Sequence, residues 1–378
     1  MDAHYDFFMI GSSPVSVLEA MAHRDRGEKV AIVDSADKFG GAWRLIDSFG
    51  WKNVEVSAHI MRDFYPGYDY LRDHLGVQFE VLHPQPAQVF VSEDKVKYHA
   101  RYNFRWFTEA IIWFNNTLRK KPLTALLKNL RQDALAPLKS MLVLFLRDAK
   151  RGFPKILYPV GGCLELLSRL EEGCRDKGVE IFLGRGVDSI NIDLETRSAE
   201  LKIDGQTVSA KKVGFTRNSK LTDVSVDGAS LSCEAEPQIT HHVHFLFSQK
   251  SDEKNFSFAR YRDDPYYHMV SDVTNYAEPG ERNGQQTRII TAWLRIDVDH
   301  SNVNGKEYFD RLKVVGAVDR QCDLLDWRIA TFESYSLTNE TIAGFETRSN
   351  HCLNYVETGD LTRDVESYSA KWDNWARA

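Results

Sequence analysis

The 378-residue sequence lacks any apolar run long enough to cross a bilayer, which argues against a membrane-spanning helix of about 20 residues. It has only five cysteines, and no two of them stand at the C-x-x-C spacing of metal or redox motifs. Free thiols favour a reducing compartment, so we predict a cytoplasmic location and no metal site. Internal repeats and low-complexity segments are missing as well, which argues against a solenoid or a fibrous protein.

Neither sign of charge is in large excess over the whole chain. The formal net charge is −6, with 27% charged and 43% hydrophobic residues, which is ordinary for a globular protein. Mild acidity predicts no general affinity for nucleic acid. The length allows two domains, or one domain with a large insertion. No motif in the chain specifies an oligomeric state.

The most informative pattern lies in residues 6–43, which predict a strand, a Gly/Ser turn, a helix and a second strand. The first apolar run ends at Gly11, and the second ends at Asp34, 23 positions later. A helix that opens near Pro14 would direct its free N–H groups and positive dipole end at a pyrophosphate. An acid at about this offset contacts a ribose hydroxyl. The segment therefore predicts a dinucleotide-binding βαβ unit.

The turn departs from the usual G-x-G-x-x-G pattern, because it keeps only the first glycine. The chain reads Gly11-Ser12-Ser13-Pro14-Val15-Ser16. Ser13 stands where a bare backbone lets a pyrophosphate approach, and Ser16 where the helix packs against the strand. A serine hydroxyl can itself donate to a phosphate, so we keep the binding hypothesis. The alternative is an α/β unit that binds no ligand.

Two further glycines, Gly40 and Gly41, follow Asp34 by six and seven residues. This arrangement resembles the flavoproteins of the amine oxidase, phytoene desaturase and UDP-galactopyranose mutase group, in which a Gly-Gly after the ribose acid runs beside the FAD. Residues 50–59 are similar to the same group, in which a histidine or a small polar residue approaches the flavin ring at this point. The resemblance therefore makes His59 a candidate catalytic residue.

Two later segments extend the resemblance. Residues 157–167 contain a Tyr-Pro-x-Gly-Gly turn that begins an amphipathic helix, followed by a strand at 178–183. Near the C-terminus, Gly359-Asp360 resembles the Gly-Asp before a helix whose N-terminus faces the flavin in related proteins. Arg348 is a further candidate neighbour of the reacting centre. The resemblance implies that FAD is the cofactor and that it is held by Gly11, Ser12, Ser13, Pro14, Asp34, Gly40, Gly41, Ala42, Trp43, Gly359, Asp360 and Leu361.

The middle of the chain is strongly basic. Residues 101–155 contain twelve Lys and Arg against three acids, a net charge of +9, with aromatic residues between them. We interpret the segment as a helical insert. Its charges have three explanations: they face water on a packed helical cap, they form a wall for an anionic substrate, or they contact an anionic membrane surface.

From about residue 185 to 325 the pattern favours strands. Alternation over 199–208 with Asp204-Gly205 at its centre predicts a hairpin. Tyr261, Tyr266 and Tyr267 are candidates for the wall of a pocket beside the flavin ring. His242 and His244 would share one strand face, but without an acid or cysteine at ligand spacing they do not predict a metal site.

These observations predict an α/β fold, with a Rossmann-like parallel-sheet FAD-binding domain, an inserted helical segment and a mostly antiparallel substrate-domain sheet. The FAD-binding domain would comprise 1–75, 151–215 and 326–378, the helical insert 76–150, and the substrate sheet 216–325. The resemblance implies an FAD-dependent oxidoreductase acting on a small organic substrate. Two alternatives stay open: a UDP-galactopyranose mutase-like enzyme that uses reduced flavin without net redox change, and a non-catalytic binding protein like the Rab GDP-dissociation inhibitors.

Overall fold

The computed structural model describes residues 4–41, 43–56, 59–62, 66–82, 87–92, 95–101, 155–248, 258–262, 264–278, 287–300 and 302–356. The strands in the first part of the chain are β1 (His4–Ile10), β2 (Val30–Asp34), β3 (Leu45–Ser48), β4 (Trp51–Glu55), β5 (Met61–Arg62), β6 (Phe79–Val81), β7 (Ala87–Ser92) and β8 (Lys95–Arg101). The next strands are β9 (Ile156–Pro159), β10 (Glu180–Leu183), β11 (Val187–Asp193), β12 (Ser198–Ile203), β13 (Gln206–Phe215), β14 (Val224–Val226) and β15 (Ala229–Ser230).

The remaining strands are β16 (Ala235–Ser248), β17 (Phe258–Arg262), β18 (Tyr267–Asp272), β19 (Thr287–Leu294), β20 (Asp323–Leu337) and β21 (Leu353–Tyr355). The helices are α1 (Pro14–Asp25), α2 (Pro66–Asp73), α3 (Gly162–Asp176), α4 (Gly305–Val314) and α5 (Asn339–Arg348), with a short 3-10 helix at Thr274–Tyr276. None of the described helices is both long and apolar enough to cross a membrane.

The first sheet has the strand order β10-β2-β1-β13-β12-β11-β14-β15, with β21 also paired to β13. The pairs among β10, β2, β1 and β13 are all parallel. Strand β1 is apolar on both faces because both faces are covered: Phe7 and Met9 pack with α1 and α3, while Phe8 and Ile10 pack on the opposite side with α5. This sheet confirms the predicted Rossmann-like core.

The predicted hairpin is also confirmed. Strands β12 and β13 pair antiparallel, with Ile203 opposite Gln206. Asp204 and Gly205 between them both have positive φ, at 49° and 72°. Two left-handed residues in a two-residue loop match the right-handed twist of the flanking strands, which explains the Asp-Gly sequence.

The second sheet has the order β20-β16-β19-β18-β17-β7-β8 and is antiparallel except for the β17–β7 pair. One of its faces is apolar and packs on α4, through side chains such as Phe245 and Phe309. This sheet confirms the predicted antiparallel component of the fold. Strand β20 of this sheet extends to residue 337, and β14 and β15, which lie within 216–325, belong to the first sheet. The domain limits at 216–325 stay a prediction.

The segment predicted as a helical insert begins with strands. Within 76–150, the described residues up to 101 form β6, β7 and β8. The alternation of buried Val89 and Val91 along β7 explains why this part pairs with β17 instead of forming a helix. Residues 102–154, on which the three explanations of the basic segment depend, lie outside the described part of the chain.

The five cysteines are all thiols. Cys163 and Cys174 lie in α3, and Cys322 precedes β20. Cys352 precedes β21 and is buried like those three, whereas Cys233, before β16, is half-exposed. Both sheets thus have a buried thiol beside them.

A buried ion pair supports the face of the second sheet that packs on α4. Asp264 is fully buried and accepts hydrogen bonds from Arg311 Nε at 2.9 Å and from the backbone N–H groups of Tyr266 and Tyr267, each at 2.9 Å. Arg311 Nη2 lies 2.9 Å from the same carboxylate. The pair fixes the start of β18 against α4.

We predict that Asp264→Asn lowers the free energy of unfolding by about 3 kcal/mol or more, because it leaves the Arg311 charge buried without a counter-ion. Urea denaturation followed by circular dichroism measures the change. The matched control is Asp310→Asn, which removes an exposed carboxylate 3.6 Å from Lys313 and should change stability by less than about 1 kcal/mol. Equal effects of the two substitutions would contradict the prediction.

Candidate functional site

The predicted nucleotide turn lies between β1 and α1, with the Asp34 carboxylate at its side. Asp34 Oδ2 accepts from the backbone N–H of Ser12 at 2.7 Å and from its hydroxyl at 2.6 Å. Asp34 Oδ1 accepts from the N–H of Ala36 at 2.9 Å. The Ser12 hydroxyl in turn accepts from the N–H of Gly40 at 3.1 Å. The structure thus brings together four of the residues predicted to hold a cofactor: Ser12, Asp34, Gly40 and, through the turn at φ 106°, Gly11.

The two serines that replace the expected glycines contact each other. Ser13 is the N-cap of α1, and its hydroxyl accepts from the backbone N–H of Ser16 at 3.3 Å. The two hydroxyl oxygens lie 2.8 Å apart. Pro14 occupies the first helical turn, as predicted, where its missing N–H costs nothing. The serine pair therefore stabilises the helix start in place of the glycine contacts.

Gly41 lies directly against this turn. A Cβ atom on Gly41 would be 3.2 Å from Ser13 N, Cα and Cβ, and the residue has a φ of 59°. Both the close approach and the left-handed conformation favour glycine. The Gly-Gly segment therefore packs against the turn at the start of α1, and the place beside them, where the sequence predicts the cofactor, is the predicted cofactor crevice.

Trp43 connects this crevice to His59. Their rings are stacked with centroids 4.2 Å apart and planes at 15°, and both residues are half-buried. Arg348, the other candidate catalytic residue, lies exposed in the last turn of α5, a helix that packs on β21. The structure thus places His59 beside a predicted cofactor residue and Arg348 on a solvent-facing helix end. Ala42, Gly359, Asp360 and Leu361 lie outside the described residues.

A carboxylate that sequence reasoning missed lies behind the crevice. Glu55 is fully buried at the end of β4, and its side chain accepts from the Tyr158 hydroxyl and from the N–H of Cys163 at 2.7 Å. Burial raises the pKa of Glu55 from 4.5 to about 7, against the lowering effect of the two hydrogen bonds. Burial and the nearby Glu55 raise the pKa of the Cys163 thiol. Gly162, at φ 69°, passes so close that an added Cβ would lie 3.1 Å from the Glu55 carboxylate.

The backbone of the same strand end contacts the second sheet. The Glu55 carbonyl accepts from the Thr291 hydroxyl at 2.7 Å, and the Val56 carbonyl lies 3.1 Å from His242 Nδ1. Asp47 in β3 accepts through its carbonyl from Arg328 at 3.1 Å. The β3–β4 hairpin therefore packs on the face of the second sheet that carries His242, Thr291 and Arg328.

The tyrosines predicted to line a pocket lie on the other face of the sheet, which packs against α4. Tyr261 and Tyr267 are buried in the apolar layer against α4, and the Tyr267 hydroxyl donates to the Tyr308 carbonyl. Tyr266 donates to Glu307 of α4 at 2.5 Å. Alternation assigns residues to two faces of a strand, but it does not say which face meets the neighbouring sheet.

The two histidines of β16 share the hairpin-facing side, as predicted. Burial lowers the pKa of His242 to about 4 and that of His244 to about 3, so both are neutral at pH 7. His242 stacks on Trp293 at 5.7 Å and meets the edge of Phe332 at 5.5 Å. In the described part of the chain, no group of three or more His, Cys, Asp or Glu is arranged to hold a metal ion.

The parallel sheet with the turn at its first strand, the Gly-Gly segment against that turn and the second, antiparallel sheet together form a fold that the chain shares with solved flavoenzymes. The fold predicted from the sequence is confirmed.

Solved structures of three kinds share this fold with the chain. Putrescine oxidase, in its wild-type form bound to putrescine, superposes with a TM-score of 0.61 at 14% identity over 100% of both chains. Reduced UDP-galactopyranose mutase gives a TM-score of 0.63 at 12% identity, over 99% of this chain and 93% of the mutase. The Rab GDI of Plasmodium falciparum gives 0.59 at 12% identity, over 98% and 97%. No protein-family model and no curated protein sequence matches the chain.

The sequence contained a weak signal for Glu55. It stands between Val54 and Val56, so its strand carries an acid where the flanking residues are buried. An acid within an apolar run is a candidate for a buried carboxylate with a raised pKa. Its partners Tyr158 and Cys163 lie more than 100 positions away, and no local pattern connects them to it.

We predict that Glu55→Gln makes stability less dependent on pH. The native protein keeps on Glu55 a proton that the unfolded chain releases above pH 4.5, so wild-type stability should fall as the pH rises from 4.5 through 7. Glutamine has no proton to lose and can still accept from the Cys163 N–H. Relative to the wild type, the variant should therefore gain on the order of 3 kcal/mol between about pH 4.5 and 8.

Denaturant unfolding across that pH range measures the difference between the two proteins. Other titrating groups cancel in the comparison because both chains contain them. The control is Glu200→Gln, which changes an exposed carboxylate of β12 and should run parallel to the wild type. Parallel curves for Glu55→Gln and the wild type would show that the buried carboxyl does not titrate in this window.

Proposed function

We propose that the protein binds FAD in the crevice between β1, α1 and the Gly-Gly segment, and that it is a flavin-dependent oxidoreductase acting on a small organic substrate. The observation that carries the proposal is the Asp34 carboxylate at the end of β2, hydrogen-bonded to the turn that begins α1. The fold shared with putrescine oxidase and reduced UDP-galactopyranose mutase supports it.

The residues of the crevice fit a dinucleotide. Asp34 accepts three hydrogen bonds from the chain, and a carboxylate has about four acceptor positions, so about one remains for a ribose hydroxyl. The start of α1 presents the positive end of its dipole where a pyrophosphate would lie. Gly41, on which a Cβ would press against Ser13, lets the Gly-Gly segment approach the start of α1 closely.

Bound FAD would supply hydride acceptance, and the chain supplies position and electrostatics. The stacked Trp43 and His59 form a flat wall that follows the Gly-Gly segment and orients whatever lies against it. Neutral His242, held by the Val56 carbonyl, presents an uncharged imidazole at pH 7. The buried Glu55 fixes the Gly161-Gly162 turn through the Cys163 N–H and keeps that side of the crevice in place.

The test is FAD binding to the purified chain, measured by quenching of flavin fluorescence. Wild-type protein should bind FAD, and Asp34→Asn should weaken binding about tenfold or more, because one charge-assisted hydrogen bond to the ribose is lost. Ser12→Ala separates this effect from damage to the turn, since it removes the Ser12 hydroxyl and keeps the carboxylate. Asp37→Asn, an exposed acid three residues later, should bind FAD like the wild type.

A folded wild-type protein that binds no FAD would overturn the proposal. Equal weakening by Asp34→Asn and Ser12→Ala would overturn the assignment of Asp34 to the ribose, because the turn alone would then explain the loss. Reduction of the bound flavin by a candidate electron donor, followed in the visible spectrum, tests the oxidoreductase part separately.

A specific observation favours a second candidate, a non-catalytic binding protein. The Ser13 hydroxyl caps the N–H of Ser16, which is a donor that a pyrophosphate would otherwise use. The fold is shared with the Rab GDI of Plasmodium falciparum as well as with the oxidases. Absence of FAD binding in the experiment above would favour this candidate.

A further inference from the structure

Two rows of side chains cross the hairpin-facing side of the second sheet. Residues paired across neighbouring strands point to the same face, so the register assigns the members of each row. The first row, from β20 to β17, consists of Ala330, His242, Trp293, Met269 and Arg260. The second row consists of Arg328, His244, Thr291, Ser271 and Phe258.

The first row lies next to the predicted cofactor crevice. His242 is bound to the Val56 carbonyl, only three residues before His59. Arg44, adjacent to Trp43, places its guanidinium 4.9 Å from the ring of Phe332, which in turn contacts His242. The row therefore lies beside the chain segments that carry Trp43 and His59.

Arg260, beyond which the register continues to Gln88 of β7, is a cation without a counter-ion among the side chains that the structure describes. It is half-buried, and its Nε is shielded from solvent. It makes no hydrogen bond or ion pair within the part of the chain that the structure describes. Shielding a guanidinium from water costs free energy unless an acceptor or an anion compensates for it. The geometry thus calls for an acceptor that the described residues do not supply.

Two other side chains in the rows also have buried nitrogens without a hydrogen-bond partner among the described residues. Trp293 Nε1 is buried, and among the described residues it has no acceptor. His244 is fully buried with neither ring nitrogen hydrogen-bonded to a described residue, although a neutral imidazole always carries one N–H. Three neighbouring side chains therefore hold unused N–H groups on one face.

The rows contain no acidic residue. Their charged members, Arg260 and Arg328, are both cationic, and Arg44 adds a third guanidinium beside them. The charged members of the rows would repel a cationic substrate such as a protonated amine, whereas they would attract an anion. Half-buried Trp293 and Met269, between His242 and Arg260, offer an apolar surface for the rest of a ligand.

We propose that this first row is a binding site for a small organic anion, with Arg260 receiving a carboxylate or phosphate and Trp293 and Met269 contacting an apolar body. The inference rests on the proposed function in one respect, since the neighbouring flavin crevice is what makes the bound anion a substrate. It names the substrate class as anionic, in contrast to the putrescine bound by the structurally similar oxidase.

Isothermal titration calorimetry on the full chain tests the site with three probes of similar size: benzoate, phenyl phosphate and benzylammonium. Benzoate or phenyl phosphate should bind at concentrations up to about 1 mM, in the range of ordinary substrates, and benzylammonium should not. The tighter of the two anions identifies carboxylate or phosphate as the recognised group. Benzylammonium binding as tightly as the anions would overturn the proposal, and so would failure of both anions to bind.

Substitutions assign the binding to Arg260. Arg260→Gln should weaken binding of the anion about tenfold or more, because a hydrogen bond between charged groups is lost. Arg260→Lys keeps the charge and should retain part of the affinity. Arg320→Gln removes an equal charge from an exposed turn and should bind like the wild type. Unchanged binding by Arg260→Gln would overturn the assignment. If Arg260→Gln does not fold, unchanged binding by both Arg260→Lys and Arg320→Gln would overturn it.

The two proposals fail separately. A chain that binds benzoate through Arg260 but takes up no FAD would contradict the proposed function and leave the anion site standing. A chain that takes up FAD but is indifferent to all three probes would contradict the anion site alone. Titrating the probes before and after addition of FAD distinguishes these cases in one preparation.

Discussion

The end of strand β4 is the point on which the arrangement of the two sheets depends. Within two residues, the chain uses a buried carboxylate to hold the start of α3 and two carbonyls to hold the second sheet. Charging a buried carboxyl group costs free energy, and burial therefore raises the pKa of Glu55 to about 7. The carboxyl group is nevertheless needed at position 55, because an apolar residue there would leave the Cys163 N–H and the Tyr158 hydroxyl without an acceptor.

Hydrogen bonds between polar groups of the chain also hold the predicted cofactor crevice together. Ser12, although it stands at a variable position of the usual motif, connects Asp34 to the Gly-Gly segment with one hydroxyl. Ser13 and Ser16 satisfy each other at the helix start, where glycines would have left space. The altered motif is therefore a rigid turn with its own internal hydrogen bonds, and a nucleotide would use the positions that remain.

The sequence was most informative where structure is local. The apolar runs ending at Gly11 and Asp34, the proline at the helix start and the Asp204-Gly205 turn all predicted their elements, since each depends on neighbouring residues. The face of the second sheet that meets the β3–β4 hairpin was not predictable in this way, because its rows combine strands from 240 to 330 through pairing register. For the same reason the sequence could not show that the tyrosines pack against α4 or that Arg348 lies exposed at the end of α5.

The buried thiols can report local unfolding of the protein. Burial raises the pKa of Cys174 to about 12, and raises that of Cys322 as well. These protonated groups react slowly with alkylating reagents while the layers around them stay closed. Cys174 lies in α3, on the side that packs against the first sheet, whereas Cys322 lies beside the second. The order in which the two thiols become reactive during gentle denaturation would therefore reveal which half of the molecule loosens first.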